Sequence, residues 1–123
     1  MIEQILSWLR AFGFPNLEPE YLGPREGDMG LFCRGVEVTR EQRDILGRRV
    51  CRRKAVFTLA KRTREVAFLD QIPALEPVIT PAAPVFGQDQ RILLEKGRTV
   101  KDSGGIPVRE FQLTVEYTTK EEN

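Results

Sequence analysis

The stretch that decides the fold lies in mid-chain, at residues 48–64, with the sequence RRVCRRKAVFTLAKRTR. Apolar residues recur at odd-numbered positions between Cys51 and Leu59, whereas Arg52 and Lys54 occupy alternate positions. A period of two is typical of a β-strand with one apolar and one polar face. The sequence therefore predicts one long central strand here, and we expect the rest of the chain to pack on it or pair with it.

The same stretch concentrates the positive charge of the chain. It contains eight basic residues and no acidic residue, although the net charge of the whole chain is only +1. Residues 1–47 carry five basic and eight acidic side chains, and residues 65–123 carry six and ten. Such a distribution suits binding to a polyanion or pairing between copies of the chain. A third interpretation is a solvated strand face whose charge is offset by acids of the flanking segments.

Length and composition predict one soluble domain. A chain of 123 residues can bury one core, and 41% hydrophobic with 30% charged residues is an ordinary globular balance. No apolar run approaches the roughly 20 residues of a membrane span, and the N-terminus lacks the features of a signal peptide. Cys33 and Cys51 are predicted to be free, buried thiols in a reducing cytoplasm, although adjacent strands could also bring the two sulfurs together.

Two helices are predicted. Near the N-terminus, apolar residues recur at helical spacing and Gly13 with Pro15 ends the pattern; these apolar residues are Ile2, Ile5, Leu6, Leu9 and Phe12. Trp8 belongs either to the margin of this apolar stripe or to a surface for a partner, and the first interpretation is favoured. A second, short helix is predicted at residues 66–72 and ends at Pro73.

Three further strands are predicted, at residues 30–38, 90–101 and 108–119. The last alternates most clearly, with an apolar face formed by Phe111, Leu113, Val115 and Tyr117. Residues 14–29 are predicted to form a loop. The predicted fold is α+β, an antiparallel four-stranded sheet with helices on one face, in the order α-β-β-α-β-β.

The connection between the first two predicted strands, TREQRDILG at residues 39–47, is predicted to be polar. We expect Ile45 and Leu46 to be tucked under the sheet at its end. Thr39 with Gln42 three residues later resembles a capping box, so a single helical turn is the alternative.

Residues 73–87 have the sequence PALEPVITPAAPVFG, with four prolines. Residues before proline avoid the helical region, and prolines remove backbone donors, so an extended arm is predicted rather than a central strand. Its apolar side chains favour an ordered arm, lying over the fold or reaching a neighbouring molecule, over a disordered linker. The chain is thus predicted to be a single domain, residues 1–123, with a proline-rich arm at residues 73–87.

The sequence contains no catalytic or metal-binding motif. It has no histidine, which excludes Ser–His–Asp and Cys–His catalysis and leaves scattered carboxylates as metal ligands. Acidic residues cluster at Glu18, Glu20, Glu26 and Asp28, but their spacing matches no calcium loop. We expect a protein that is not an enzyme and has no cofactor; an enzyme that uses carboxylates alone is the least favoured alternative.

The basic strand and the proline-rich arm form the predicted interface. Its residues are Arg48, Arg49, Arg52, Arg53 and Lys54 in the strand and Pro77, Val78, Ile79, Pro81, Pro84, Val85 and Phe86 in the arm. A nucleic-acid-binding accessory domain that contacts phosphates through residues 48–64 is the main alternative function. The single aromatic residue of that stretch, Phe57, lies on the apolar face, so the strand offers no platform for stacking bases.

Short motifs in the second half resemble those of a known family. Residues 69–118 resemble the C-terminal half of small minor tail proteins of Firmicutes phages and prophages, often labelled minor capsid proteins and related to tail terminators. The matching residues are Ala83-Pro84 with Phe86-Gly87, the run Ile92…Glu95-Lys96-Gly97-Arg98, and the alternation of Phe111, Leu113 and Tyr117. The first half is similar in layout: a helix with a tryptophan, Gly35-Val36-Glu37-Val38, Asp44-Ile45-Leu46-Gly47, and Arg52-Arg53-Lys54 before Phe57. The second predicted helix is shorter than in that family and ends at a proline.

The resemblance implies a structural protein of the virion without catalytic activity. Tail terminators form a ring, expected to be a hexamer, that caps the tail tube and presents a surface to the head connector. The implied partners are copies of the chain itself, the tail tube protein, the head–tail connector protein and DNA passing through the lumen, with no membrane. The implied location is the virion tail, and the host cytoplasm during viral assembly.

Overall fold

A computed structural model describes residues 1–101 and 105–121 and shows the predicted α+β class, here with a five-stranded mixed sheet and two α-helices in this part of the chain. The helices and strands in chain order are α1 (Ile2–Ala11), β1 (Leu17–Pro19), β2 (Met29–Arg43), β3 (Arg49–Arg62), α2 (Ile72–Ile79), β4 (Gln88–Val100) and β5 (Val108–Glu121). Two 3-10 helices, Val66–Gln71 and Thr80–Ala82, flank α2. No helix in the described ranges is long and apolar enough to cross a membrane.

Strand β3 lies in the middle of the sheet, whose order is β1-β2-β3-β5-β4. It pairs antiparallel with β2 as far as Arg49 opposite Arg43, and with β5 as far as Arg49 opposite Glu121. Strand β4 pairs antiparallel with β5 at one edge of the sheet. The central strand predicted at residues 48–64 is therefore confirmed, with bounds at Arg49 and Arg62.

The core lies between one face of this sheet and helix α1. Phe57 and Leu113 have no exposed surface, and Ile5 and Leu9 of α1 belong to the same cluster of buried side chains. Burying one such side chain stabilises the fold by about 1.5–3 kcal/mol. The period-two alternation of β3 and β5 and the helical alternation of α1 thus meet in one core, as the sequence predicts.

Trp8 also lies in the core. It is buried, and its indole Nε1 donates a hydrogen bond of 2.8 Å to the carbonyl oxygen of Ile79. This bond joins α1 to the C-terminal end of α2, so the interpretation of Trp8 as a core residue is confirmed and that of a surface residue is wrong.

The sheet differs from the prediction at its β2 edge. Within the predicted loop, Leu17–Pro19 forms β1 and pairs parallel with the start of β2. Strand β2 continues to Arg43, through residues predicted to be a polar connection or a helical turn. Sequence periodicity does not reveal this extension because its residues are exposed, so no apolar alternation marks the strand. The sheet is therefore mixed and five-stranded rather than antiparallel and four-stranded.

The proline-rich arm is not extended along its whole length. Helix α2 begins at Ile72 and contains Pro77, and a 3-10 helix follows at Thr80–Ala82. Pro73 lies in the first turn of α2, where backbone N–H groups have no partner within the helix. The prediction of extended backbone is wrong for residues 73–82. Pro73 lies where a helix tolerates proline, and α2 forms although Pro77 removes one of its backbone hydrogen bonds.

The two cysteines occupy different environments, and both are free thiols. Cys51 is buried, as predicted, whereas Cys33 is exposed, so that prediction is wrong for Cys33. In register, Cys33 lies opposite Phe57 and Cys51 lies opposite Glu41, so the two residues sit at different levels of the β2–β3 pair.

Truncating the core should destabilise the chain strongly. We expect Phe57→Ala to lower the free energy of unfolding by about 3–5 kcal/mol and Leu113→Ala by about 2–5 kcal/mol, because each leaves a cavity at a fully buried position. Equilibrium unfolding in urea measures both. The control Val66→Ala removes an exposed side chain and should change stability by less than about 0.5 kcal/mol. Losses below about 1 kcal/mol in the two core variants would contradict this packing.

Candidate interaction surfaces

The hairpin formed by β2 and β3 extends beyond the core, and the side chains of β2 are buried only near the start of the strand. Strand β2 is buried over Met29, Gly30 and Leu31, and residues 33–43 are all exposed. Strand β1 pairs with β2 only as far as Leu31, so no described strand covers the outer edge of β2 beyond that point. The outer half of β2 is ordered by its pairing with β3 and not by burial of its own side chains.

Two β-bulges interrupt this free edge. They lie between Cys33 and Gly35 and between Val38 and Arg40, and Gly35 has φ 141°, which favours glycine. Bulges twist a strand and break the even spacing of its backbone donors and acceptors, which disfavours edge-to-edge pairing with another sheet. Contacts made by the hairpin are therefore better suited to side chains than to backbone.

The hairpin ends in a tightly bonded turn at residues 44–48, called the hairpin tip below. One carboxylate oxygen of Asp44, Oδ1, accepts hydrogen bonds from the backbone N–H of Leu46 at 3.0 Å and of Arg48 at 2.9 Å. The other, Oδ2, accepts one from Nε of Arg48 at 2.8 Å. Gly47, with φ 78°, donates its N–H to the carbonyl oxygen of Asp44. One aspartate thus holds the turn in a single conformation.

These bonds determine the charge state of Asp44. Burial acts to raise its pKa, but the hydrogen bonds from the amide and guanidinium of Arg48 and from the amide of Leu46 outweigh it. The pKa of Asp44 therefore lies below its ordinary value of 3.8. The carboxylate is ionised at neutral pH, when it accepts all three bonds.

The hairpin tip presents two large apolar side chains to solvent. Ile45 is fully exposed and Leu46 is 72% exposed. Val36 and Val38 of the same hairpin are also exposed. The expectation that Ile45 and Leu46 are tucked under the sheet is wrong, because the strands continue past the core and carry the turn away from it. Two adjacent, exposed aliphatic side chains at the end of an ordered hairpin make the tip a candidate interaction site.

The basic residues of the predicted interface divide between the two faces of β3. Arg49 and Arg53 alternate with Cys51 on the face that buries the core, whereas Arg52 and Lys54 lie on the opposite face. Arg48 belongs to the hairpin tip. The sequence stretch that carries the positive charge therefore does not form one continuous basic surface.

Carboxylates of the same chain lie beside most of these arginines. The N···O distances are 2.8 Å for Arg48–Asp44, 2.8 Å for Arg49–Glu41, 3.1 Å for Arg49–Glu121, 2.5 Å for Arg53–Glu121 and 3.6 Å for Arg52–Glu116. The hydrogen bond and charge of Arg49 lower the pKa of Glu41. Exposed pairs of this kind contribute roughly 0–1 kcal/mol each. They support the interpretation that flanking acids offset the charge of the strand.

A basic groove remains on the face opposite the core. Arg40, Arg52 and Lys120 line this groove together with one acidic residue, Asp89, and its volume is about 420 Å³. Among the described residues, Arg40 and Lys120 have no ion-pair partner, and neither has Lys54 on the same face. This groove is one place where the described part of the chain could bind a polyanion.

A second apolar surface surrounds α2. Residues 65–87, called the acidic segment below, contain three acidic residues and no basic residue. Val66, Val78 and Val85 within it are exposed, and α2 packs beside β4, at the opposite edge of the sheet from the β2–β3 hairpin. The chain therefore carries two unlike apolar surfaces, one basic and one acidic, at its two edges.

The residues predicted for the interface in the proline-rich arm point in different directions. Pro77, Val78, Pro81 and Val85 are exposed, and Pro84 is half-buried. Ile79 is buried in the core, and Phe86 is half-buried with its ring centroid 5.9 Å from that of Tyr117. Only part of the predicted arm surface is thus available to a partner.

Ile45 and Leu46 of the hairpin tip are not among the predicted interface residues, although the sequence contains a signal for this turn. An aspartate followed three residues later by a glycine, between polar strands, is typical of a hairpin with a type I turn and a glycine bulge. With that turn recognised, Ile45 and Leu46 would be placed at its exposed corner.

No family model matches the chain, and no curated protein matches it significantly in sequence. Among the described residues, no group of three or more His, Cys, Asp or Glu side chains could hold a metal ion.

The hairpin tip should loosen in acid. A group whose pKa is lowered by folding stabilises the folded state above its unfolded pKa, and this stabilisation is lost as the pH falls through the folded pKa. We therefore expect the amide NMR signals of Leu46 and Arg48 to shift together, with a midpoint below 3.8. Asp44→Asn keeps an acceptor oxygen without the charge and is the control, since these shifts should be absent from it. A midpoint above 3.8 in the natural chain would contradict the bonding described for Asp44.

Proposed function

We propose that this chain is a structural protein of a phage tail, of the tail terminator or tail completion type. In this proposal, copies of the chain form a ring, a hexamer by the family resemblance, that caps the tail tube and joins it to the head connector. The observation that carries the proposal is the β2–β3 hairpin, which holds apolar side chains in solvent on ordered backbone that the core does not need.

The distribution of the surfaces supports a ring. A closed ring of identical subunits is built from head-to-tail contacts, in which each contact joins two different surfaces of the subunit. The chain has two such surfaces, with exposed apolar residues and opposite charge, at the two edges of the sheet. A contact surface used twice around a two-fold axis would instead need to be complementary to itself.

In this proposal, the basic groove would contact DNA. DNA enters and leaves a virion through the head–tail junction, so a terminator ring would have DNA in its lumen. The groove lined by Arg40, Arg52 and Lys120 would suit weak, sequence-independent contact with phosphates. The protein would act in the virion tail, and would be in the host cytoplasm during assembly.

Electron microscopy of tubes tests this proposal. Tail tube protein polymerised with this chain should give tubes of limited length whose ends carry a ring of extra density. Tube protein alone should give longer tubes with bare ends. The core variant Phe57→Ala is the matched control, because a destabilised chain should cap fewer ends. Unchanged tube lengths and bare ends with the natural chain would overturn the proposal.

The basic groove also favours a second candidate, a nucleic-acid-binding accessory domain. Two of its three cations, Arg40 and Lys120, are without carboxylate partners in the described residues, so both are free to contact phosphates. Binding of this kind weakens steeply with salt, by a slope of about −0.9 in log K per phosphate contact on duplex DNA.

Fluorescence anisotropy with labelled duplex DNA tests that candidate. Arg40→Glu should weaken binding more than Lys101→Glu, since both make the same charge change but Arg40 lies in the groove and Lys101 lies beyond the far end of β4. If the two variants bind equally, or if the natural chain does not bind at low salt, the groove is not a nucleic-acid site.

A further inference from the structure

We infer that the hairpin tip of one copy docks on the acidic segment of the next copy, and that this contact links the ring. The inference rests on the proposed function, because it names the two surfaces that a head-to-tail ring would join. Its strongest support is the hairpin tip, where Ile45 and Leu46 are held in solvent by a turn whose backbone is fixed by Asp44.

The rigidity of the turn makes it a good anchor. Association costs free energy when a loop must be ordered on binding, and a loop that is already ordered avoids most of that cost. Asp44 fixes the amides of Leu46 and Arg48, so the two apolar side chains start from a single backbone conformation. Burial of these two aliphatic side chains against a partner would remove apolar surface from water, which favours association.

The charge around the anchor selects its partner. Residues 40–49 contain four arginines and two acids. Arg40 and Arg43 form no close ion pair in the described part of the chain, although the charge of Arg43 acts on Glu41. Arg43 donates to the carbonyl oxygen of Gly47. The surroundings of Ile45 and Leu46 are therefore basic, and a complementary surface should be apolar and acidic.

The acidic segment has this character. Exposed Val78 and Val85 supply apolar surface, and no lysine or arginine occurs anywhere in residues 65–87. Asp70 pairs with Lys96 at 2.8 Å, while Glu65 and Glu76 have no ion-pair partner in the described residues. Opposite charge steers two such surfaces together and fixes their orientation.

Contact between two hairpin tips is disfavoured by the same charges. A two-fold contact would place the arginines of residues 40–49 in one copy against those of the other, and like charges at an interface are costly. The tip and the acidic segment lie at opposite edges of the sheet, so their contact leaves each copy with one free surface of each kind. Repetition of that contact forms a ring or a filament.

An anionic membrane is the rival occupant of the tip, since it would also accept two apolar side chains flanked by arginines. The chain itself favours a second copy, because the tip and the strand residues next to it carry Glu41 and Asp44 among their arginines. These acids would face anionic headgroups unfavourably. The chain also exposes its own apolar, acidic counter-surface.

Site-directed crosslinking tests the contact. Two variants are made in a Cys33→Ser background, since Cys33 is exposed and Cys51 is buried: one carries Leu46→Cys and the other Val78→Cys. A short bismaleimide should join the mixture into dimers, and neither variant alone should crosslink. A chain carrying both cysteines should give a ladder that ends at the size of the ring. Lys101→Cys mixed with Leu46→Cys is the matched control and should give no dimer.

Removal of the anchor provides a second measurement. Ile45→Ser combined with Leu46→Ser should weaken self-association by about 10-fold or more, as loss of an apolar anchor does. Its thermal midpoint should not change, because both side chains are exposed. Tyr21→Ser removes another exposed, large side chain outside both surfaces and should leave association unchanged.

The outcomes separate this inference from the proposed function. Rings or capped tubes without a crosslink between positions 46 and 78 would overturn the contact and leave the function standing. A chain that stays monomeric, caps no tubes and gives no crosslink would overturn both. Flotation with phosphatidylserine vesicles that is abolished by the Ile45→Ser and Leu46→Ser changes, again without the crosslink, would assign the tip to a membrane and overturn the contact.

Discussion

The structure depends on the pairing of β3 along both of its edges. Over Arg49–Arg62 this strand is paired with β2 on one side and with β5 on the other. Its core half is fixed by Phe57, which is fully buried beneath α1. Beyond the core, the residues of β2 that pair with β3 are exposed. The backbone hydrogen bonds between the strands therefore keep the hairpin ordered as far as its tip.

This arrangement explains why a strongly basic strand can lie at the centre of a sheet. Alternation sends Arg49 and Arg53 to one face and Arg52 and Lys54 to the other, which spreads the charge. Register then places acidic side chains of the neighbouring strands beside the arginines, such as Glu121 beside Arg53. The net charge that remains is local, basic near the hairpin tip and acidic near α2, and the proposed assembly uses this difference.

The sequence predicts those elements whose side chains are patterned by burial. Helix α1, the core half of β3, and β5 all show a clear period, and each lies where expected. It does not predict residues 39–43 of β2, because a strand exposed on both faces has no apolar alternation. It does not predict α2, because four prolines in residues 73–87 favour extended backbone locally. The exposure of the hairpin tip is not predicted for a related reason. Ile45 and Leu46 are apolar, and apolar side chains are usually buried.

The proposed assembly requires that the β2–β3 hairpin is ordered within a single chain, so that it is available as a rigid contact surface. Hydrogen–deuterium exchange on the monomeric chain at neutral pH measures this most directly. We expect slow exchange for β3 amides through Arg49–Arg62, including those near the hairpin tip, because β3 is paired on both sides. Slow exchange near Phe57 with fast exchange at residues 49–54 would contradict it, since the hairpin would then be ordered only by a partner.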